Sequence, residues 1–324
     1  MPGSVTSVFS RPDDFEAALR NEVSVSLFIT AYGQFQARLT QVELHRLCLS
    51  AIEQNLSLIG FLAVPAQQVL MSFPIRDQPA PIWGAIRPRN GEFMTFGPGH
   101  RTHLRTQGPS GWGSIWLPAP DLAACFHELT EATLTIPSAA HLWRPRPARG
   151  RRLLQLHAAA IRAADVRPET IVNAEAAHGM EQQLFEAVVE CLSAAPSDAI
   201  SQATHSHQGL MVQFEELLQA QPDRRPRAQE LGAAMGVSDR LLRMCCSQDL
   251  GMSPAKYVQL RALHKVHRIL RDADPVETRV SQVARCQGFR DLGRFAAAYR
   301  SLFGELPSIT LGRSLRRHKR LMLA

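Results

Sequence analysis

The chain has 324 residues, 45% of them hydrophobic and 20% charged, which fits a folded protein of two domains and excludes a disordered polymer. No run of eighteen apolar residues occurs, so no membrane partner is expected, and Asp13, Asp14 and Glu16 stand where a secretion signal would be apolar, so a cytoplasmic location is expected. The net charge of +7 is unevenly placed: residues 1–207 carry 16 Lys+Arg against 18 Asp+Glu, and residues 208–324 carry 20 against 11. A basic last third beside a near-neutral remainder points to a polyanion as the partner of that third alone.

In chain order, residues 20–118 read as β-rich. The stretches 24–39, 56–64, 68–75 and 111–118 are short, hold β-branched or aromatic residues, and are bounded by Gly, Pro, Asn or Asp. That spacing predicts an antiparallel barrel or sandwich. Residues 118–130 read as a helix with Leu122, Phe126 and Leu129 on one face, and HLWRPRPARGRR (141–152) as a boundary loop. Residues 153–165 and 174–195 follow as amphipathic helices. In the second, Met180, Leu184, Val188 and Leu192 share a stripe fit for self-association. The small, polar segment 193–209 reads as a linker, giving domains 1–195 and 210–324 with 196–209 between them. Six cysteines, at 48, 125, 191, 245, 246 and 286, have neither C-x-x-C nor zinc-ligand spacing and read as reduced thiols.

From residue 208 onward the pattern is wholly helical. In AQELGAAMGVSDRLLRMCCSQDLGMSPAKYVQL (228–260), Gly232 is small where two helices approach, Gly236 sits at a tight turn, and Val237 is the buried turn residue. Ser238 caps a helix buried through Leu242, Cys245 and Cys246. Asp239, Arg240, Arg243, Met244 and Ser247 are left on or near the outer face, where arginine can reach guanine edges in a major groove. A second unit follows at 279–308. Val280, Val283 and Ala284 face inward, Gly288 marks the turn, and Phe289 takes the place of Val237. Asp291 caps a helix buried through Phe295, Tyr299 and Leu302, leaving Arg290, Leu292, Gly293, Arg294 and Ala297 outside. Residues 254–274 between the units read as one long helix with Tyr257, Leu260, Leu263, Val266 and Leu270 in its stripe.

Residues 210–311 resemble the DNA-binding domain of AraC/XylS-type transcription regulators. The order G-x-S-P, Y, A-x-x-x-G-F, F, Y, F-G, P-S carries the resemblance. The ending FGELPSITL is similar to the branch that includes ethanolamine-utilisation regulators. The resemblance implies that Arg240, Arg243 and Met244 in the first unit, and Leu292, Gly293, Arg294 and Ala297 in the second, touch bases. It also implies a cupin-like, effector-binding N-terminal barrel followed by dimerisation helices, so the expected architecture is α+β in two domains. A homodimer on promoter DNA, activating through RNA polymerase, is the family habit. Leu292, Gly293 and Ala297 offer few hydrogen bonds, so shape and phosphate readout are expected of the second unit.

Trp83, Phe96, Trp112 and Trp116 are candidates to line an apolar effector pocket, or else ordinary core. His100 and His103 have no partnering carboxylate nearby, so no metal or other cofactor is expected. No nucleophile elbow, P-loop, dinucleotide fingerprint or H-E-x-x-H occurs, so no enzyme is expected. Two other functions compete: a regulator controlled by a protein partner, and an enzyme with a DNA-binding appendage. The tail GRSLRRHKR (312–320) reads either as a phosphate contact or as a solvated terminus.

Overall fold

A computed structural model describes residues 2–20, 23–75, 78–134, 139–193, 202–221 and 224–313. The chain forms two compact units, one of residues 1–27 with 35–208, the other of residues 28–34 with 209–324. In order, the elements are β1 (Gly3–Phe9), α1 (Pro12–Leu19), β2 (Ser24–Ile29), β3 (Ala37–Glu43), β4 (Cys48–Gln54), β5 (Leu58–Ala63), β6 (Gln68–Pro74), β7 (Ile82–Trp83), β8 (Phe93–Phe96), β9 (Arg101–Arg105), β10 (Ser110–Pro118), α2 (Ala119–Thr130), β11 (His141–Trp143), α3 (Pro147–Val166), α4 (Pro168–Val172) and α5 (Ala174–Leu192). Helices alone follow: α6 (Gln202–Ala220), α7 (Ala228–Ala234), α8 (Asp239–Leu250), α9 (Pro254–Asp272), α10 (Val280–Cys286) and α11 (Leu292–Phe303). This is the expected α+β arrangement of a β-rich N-terminal domain and a helical C-terminal one.

The strands make a seven-stranded sheet in the order β1-β3-β4-β10-β6-β8-β11 and a four-stranded sheet in the order β2-β5-β9-β7. Strand alternation gives the large sheet two apolar faces. On β10, Trp112, Ser114 and Trp116 line an interior cavity. Ile115 and Leu117 point the other way and pack with Leu122, Phe126, Leu184 and Val188 in one buried cluster. Gly113 has no room for a side chain, because a Cβ there would stand 2.4 Å from Phe73 and 2.9 Å from His157. His157 of α3 places its Nε2 3.1 Å from the Ser50 carbonyl oxygen, and burial lowers its pKa to about 4. Glu181 of α5, 1% exposed, accepts from the Arg46 backbone N–H at 2.6 Å and its Nε at 3.0 Å, which anchors α5 to the β3–β4 connection.

The structure corrects three sequence expectations. The supposed boundary loop 141–152 is instead strand β11 and the start of α3, because Pro147 suits the first turn of a helix, where no backbone donor is required. Three of its arginines are bound: Arg144 pairs with Glu92 at 2.7 Å, Arg152 reaches Glu186 and Glu190, and Arg149 donates to the Glu190 carbonyl at 3.2 Å. The stripe proposed for self-association is spent inside its own domain, since Leu184 and Val188 are 0% exposed and Leu192 is 6% exposed. Residues 202–209 of the expected linker are the first turns of α6. Their polar composition hid a helix that propagates from the apolar half around Met211 and Phe214. Residues 194–201 of that segment, and 314–324 of the basic tail, lie outside the described residues.

Candidate nucleic-acid interface

Two helix-turn-helix units are built on α7–α8 and α10–α11. In the first, Gly236 turns the chain with φ 67°, a left-handed conformation that suits glycine. The Val237 N–H donates to the Gly232 carbonyl at 2.9 Å, and a Cβ on Gly232 would lie 3.0 Å from the Val237 carbonyl oxygen. The turn therefore closes by backbone approach, and Val237 is half-buried rather than buried as expected. The Ser238 hydroxyl accepts from the Leu241 N–H at 3.2 Å and caps α8, which ends at Gly251 with φ 68°.

The second unit repeats the design. Gly288 has φ 77°, the Phe289 N–H donates to the Ala284 carbonyl at 3.0 Å, and Asp291 accepts from the Arg294 N–H at 3.0 Å. Phe289 is buried as expected. Its ring is covered by the Arg225 guanidinium, 4.2 Å from the centroid, a positioning contact that the charged run RRPR gave no means of foreseeing. Joining the units, α9 is capped by Ser253 and buries Tyr257, Leu260, Leu263, Val266 and Leu270, the expected stripe. Under it, Glu215 of α6 is fully buried, accepts from the Tyr257 hydroxyl at 3.0 Å and pairs with Arg261. Burial lowers the Arg261 pKa to about 10.

The outer faces carry the candidate readers. On α8, Arg240, Arg243, Met244 and Ser247 are exposed, and Arg243 is held by Asp239 at 2.8 Å. Asp239 is half-buried. On α11, Gly293, Arg294 and Ala297 are exposed, Leu292 is half-buried, and Arg294, 91% exposed, lies 3.3 Å from the Asp291 carboxylate. Arg290 is exposed in the turn. Sequence reading missed Arg300, which shares the exposed face with Gly293 and Ala297. Counting from the two caps would have found it, since Arg300 stands nine residues after Asp291 as Ser247 stands nine after Ser238.

A family described as a helix-turn-helix domain matches residues 231–313. Residues 231–313 form an AraC-type helix-turn-helix domain. The XylDLEGF operon transcriptional activator of Pseudomonas putida is 39% identical over 75 residues, 23% of this chain and 23% of that protein. The probable thc operon regulatory protein of Rhodococcus erythropolis is 35% identical over 74 residues, 23% of this chain and 22% of its own length. The chain thus spans less than a quarter of these curated relatives. Among solved structures, the AraC-like transcriptional activator CuxR aligns with 93% of this chain and 97% of its own at 12% identity and a TM-score of 0.43.

The N-terminal unit contains a second candidate site. Between its two sheets lies a cavity of about 50 Å³ lined by Trp83, Trp112 and Trp116, while Phe96 stands behind, 4.9 Å from Trp83. Ser50, Ser114 and Ser72 form a row across β4, β10 and β6 at matched register. The Ser50 and Ser114 hydroxyls bond to each other, whereas Ser72 Oγ and Trp83 Nε1 are buried without a hydrogen-bond partner. Among the described residues, no titratable side chain lines this cavity. The sequence did not single out the serine row, because its three members come from three strands.

Proposed function

We propose that the protein is a sequence-specific DNA-binding transcription regulator, a ligand-responsive activator that works as a homodimer on promoter DNA and through RNA polymerase. The observation that carries this reading is the pair of capped helices α8 and α11, each with exposed arginine, in the part of the chain that bears net charge +9. Arginine on a groove-entering helix is bidentate to guanine O6 and N7, and the remaining positive charge adds salt-dependent phosphate affinity. The effector, on this reading, occupies the barrel. A cavity with no charged group favours an uncharged, largely apolar molecule, since an unpaired buried charge is expensive. Ser72 and Trp83 supply the anchoring hydrogen bonds. The enclosed space is the size of one or two waters, so entry of such a molecule moves α1 and β2, which furnish Phe15, Leu19, Val25 and Leu27 as the opposite wall, with Val23 between them.

The test is selection of bound duplexes from a random pool by the full-length protein near physiological salt. The expected product is a motif of two segments about 10 base pairs apart, duplicated where a dimer binds. A pool that shows no enrichment, with or without candidate neutral effectors, overturns the reading.

A further inference from the structure

The outer face of the large sheet carries a groove unrelated to the barrel interior. It measures about 670 Å³, within the roughly 300–1,000 Å³ of small-molecule sites. Its course follows from how α3 crosses the strands. Gly150 lies against Phe93 of β8, His157 lies over Ser50 of β4, and Asp165 pairs with Arg38 of β3 at 2.8 Å. One wall is therefore α3, read along Arg151, Leu154, Ala158, Ile161 and Arg162, and the other is the sheet surface at Ala51, Pro74 and Ile75. Arg151 and Arg162 are eleven residues apart, so the two ends of the groove are separated by about 16 Å along the helix.

The two ends differ in charge. At the far end Arg38, Glu53, Asp165 and Arg162 gather, two cations with two anions. Arg38 faces Glu53 across β3 and β4, and Asp165 also accepts from the Thr6 hydroxyl at 2.7 Å. At the near end Arg151 lines the groove with no ion-pair partner among the described residues, while its neighbours Arg149 and Arg152 are both engaged by α5. Arg151 also stands in the first turns of α3, where the helix end adds positive potential. Leu154, Ala158 and Ile161, half-buried on the groove side, form an apolar floor between the ends.

We infer that this groove is a second small-molecule site, which takes an elongated organic monoanion with its carboxylate on Arg151 and its apolar body along α3. The charge pattern sets the orientation, because the balanced far end repays no additional anion and the near end does. The groove ligand is thus charged, whereas the one proposed for the barrel interior is neutral. A molecule lodged here bridges α3 to β4 and β6, so its occupancy stiffens the helix layer against the sheet.

Calorimetric titration of the full chain with 6-phenylhexanoate, and with the neutral 6-phenylhexanol as its uncharged counterpart, tests this. The acid is expected to bind one site, and the alcohol to bind that site about tenfold more weakly or less well still, as loss of one charge-assisted hydrogen bond implies. R151Q is expected to weaken the acid about tenfold, by the same bond, and to leave the alcohol unchanged. A158F, which fills the floor, is expected to abolish binding of both, with an unaltered circular dichroism melt to show that it folds. S72V, inside the barrel, is expected to change neither. Absence of binding by the wild type overturns the inference, as does equal affinity for the acid in R151Q, or loss of binding in S72V, which would place the probe in the barrel. DNA selection by R151Q separates this inference from the regulator reading, since that variant is expected to enrich the wild-type motif whatever the groove binds.

Discussion

Set side by side, the two helix-turn-helix units run 52 residues apart up to the turn, from Gly232 and Ala284 through Gly236 and Gly288, and 53 apart after it, from the caps Ser238 and Asp291 to the terminal glycines Gly251 and Gly304. Arg290 is the extra residue. Both recognition helices have twelve residues. The inward positions match at the same offset yet hold different chemistry: buried Leu242, Cys246 and Leu250 in the first, buried Phe295 and Tyr299 and half-buried Phe303 in the second. The outer faces differ as well. Arg240, Met244 and Ser247 correspond to Gly293, Ala297 and Arg300. One backbone scaffold therefore tolerates a change of filling and a change of reader, because cap, turn and C-terminal glycine set its geometry independently of both.

Removing both readers sharpens that comparison most. The double variant R243A/R294A is expected to bind the selected motif no better than random DNA, a loss of about a thousandfold or more, measured by competition binding at fixed salt. Retained selectivity would show that other residues read the bases. The cores come next. Urea unfolding is expected to place F295A about 3–5 kcal/mol below wild type, as for a buried aromatic truncated to alanine. C246A is expected to cost about 1–2 kcal/mol, because less buried volume is removed. Equal costs would mean that the aromatic filling adds nothing.

The caps rank lower. S238A and D291A are each expected to cost about 1 kcal/mol of stability, and D291A also frees the Arg294 side chain, so it alone is expected to alter the selected motif at the second half. Smallest is R290A. If Arg290 meets phosphate, its removal weakens all duplexes alike and lowers the slope of log affinity against log salt by about one. A change in sequence preference would instead make Arg290 a base reader.

How much of this was legible in the sequence depended on whether a residue's meaning is local. Ser238, Asp291, Gly236 and Gly288 act on neighbours within four residues, so the turns, caps and exposed faces could be read directly. The stripe of α9 was equally plain. The β-rich unit was legible as a class only, because β8, β9 and β11 hold just four, five and three residues and pair with strands well away in sequence. The span 24–39, taken as one β-rich stretch, is in fact β2 and the start of β3 with a break between them. Arg149 and Arg152 suggested a loop because their partners, Glu186 and Glu190, lie some forty residues away. The α5 stripe showed that a helix face was apolar but not what covered it.

The helix between the two readers has a further consequence. With nineteen residues in unbroken helical geometry, α9 is an angular gauge as much as a spacer. One inserted residue would rotate everything after it by about 100° and advance it by about 1.5 Å. A shift that small in length would turn the second reader away from the side of the duplex that the first one meets. Seven inserted residues, close to two full turns, would restore the facing direction and move the second reader along by about 10 Å, or roughly three base pairs. The length of α9 therefore sets the facing direction and the reach of α11 together, so a single inserted residue changes both.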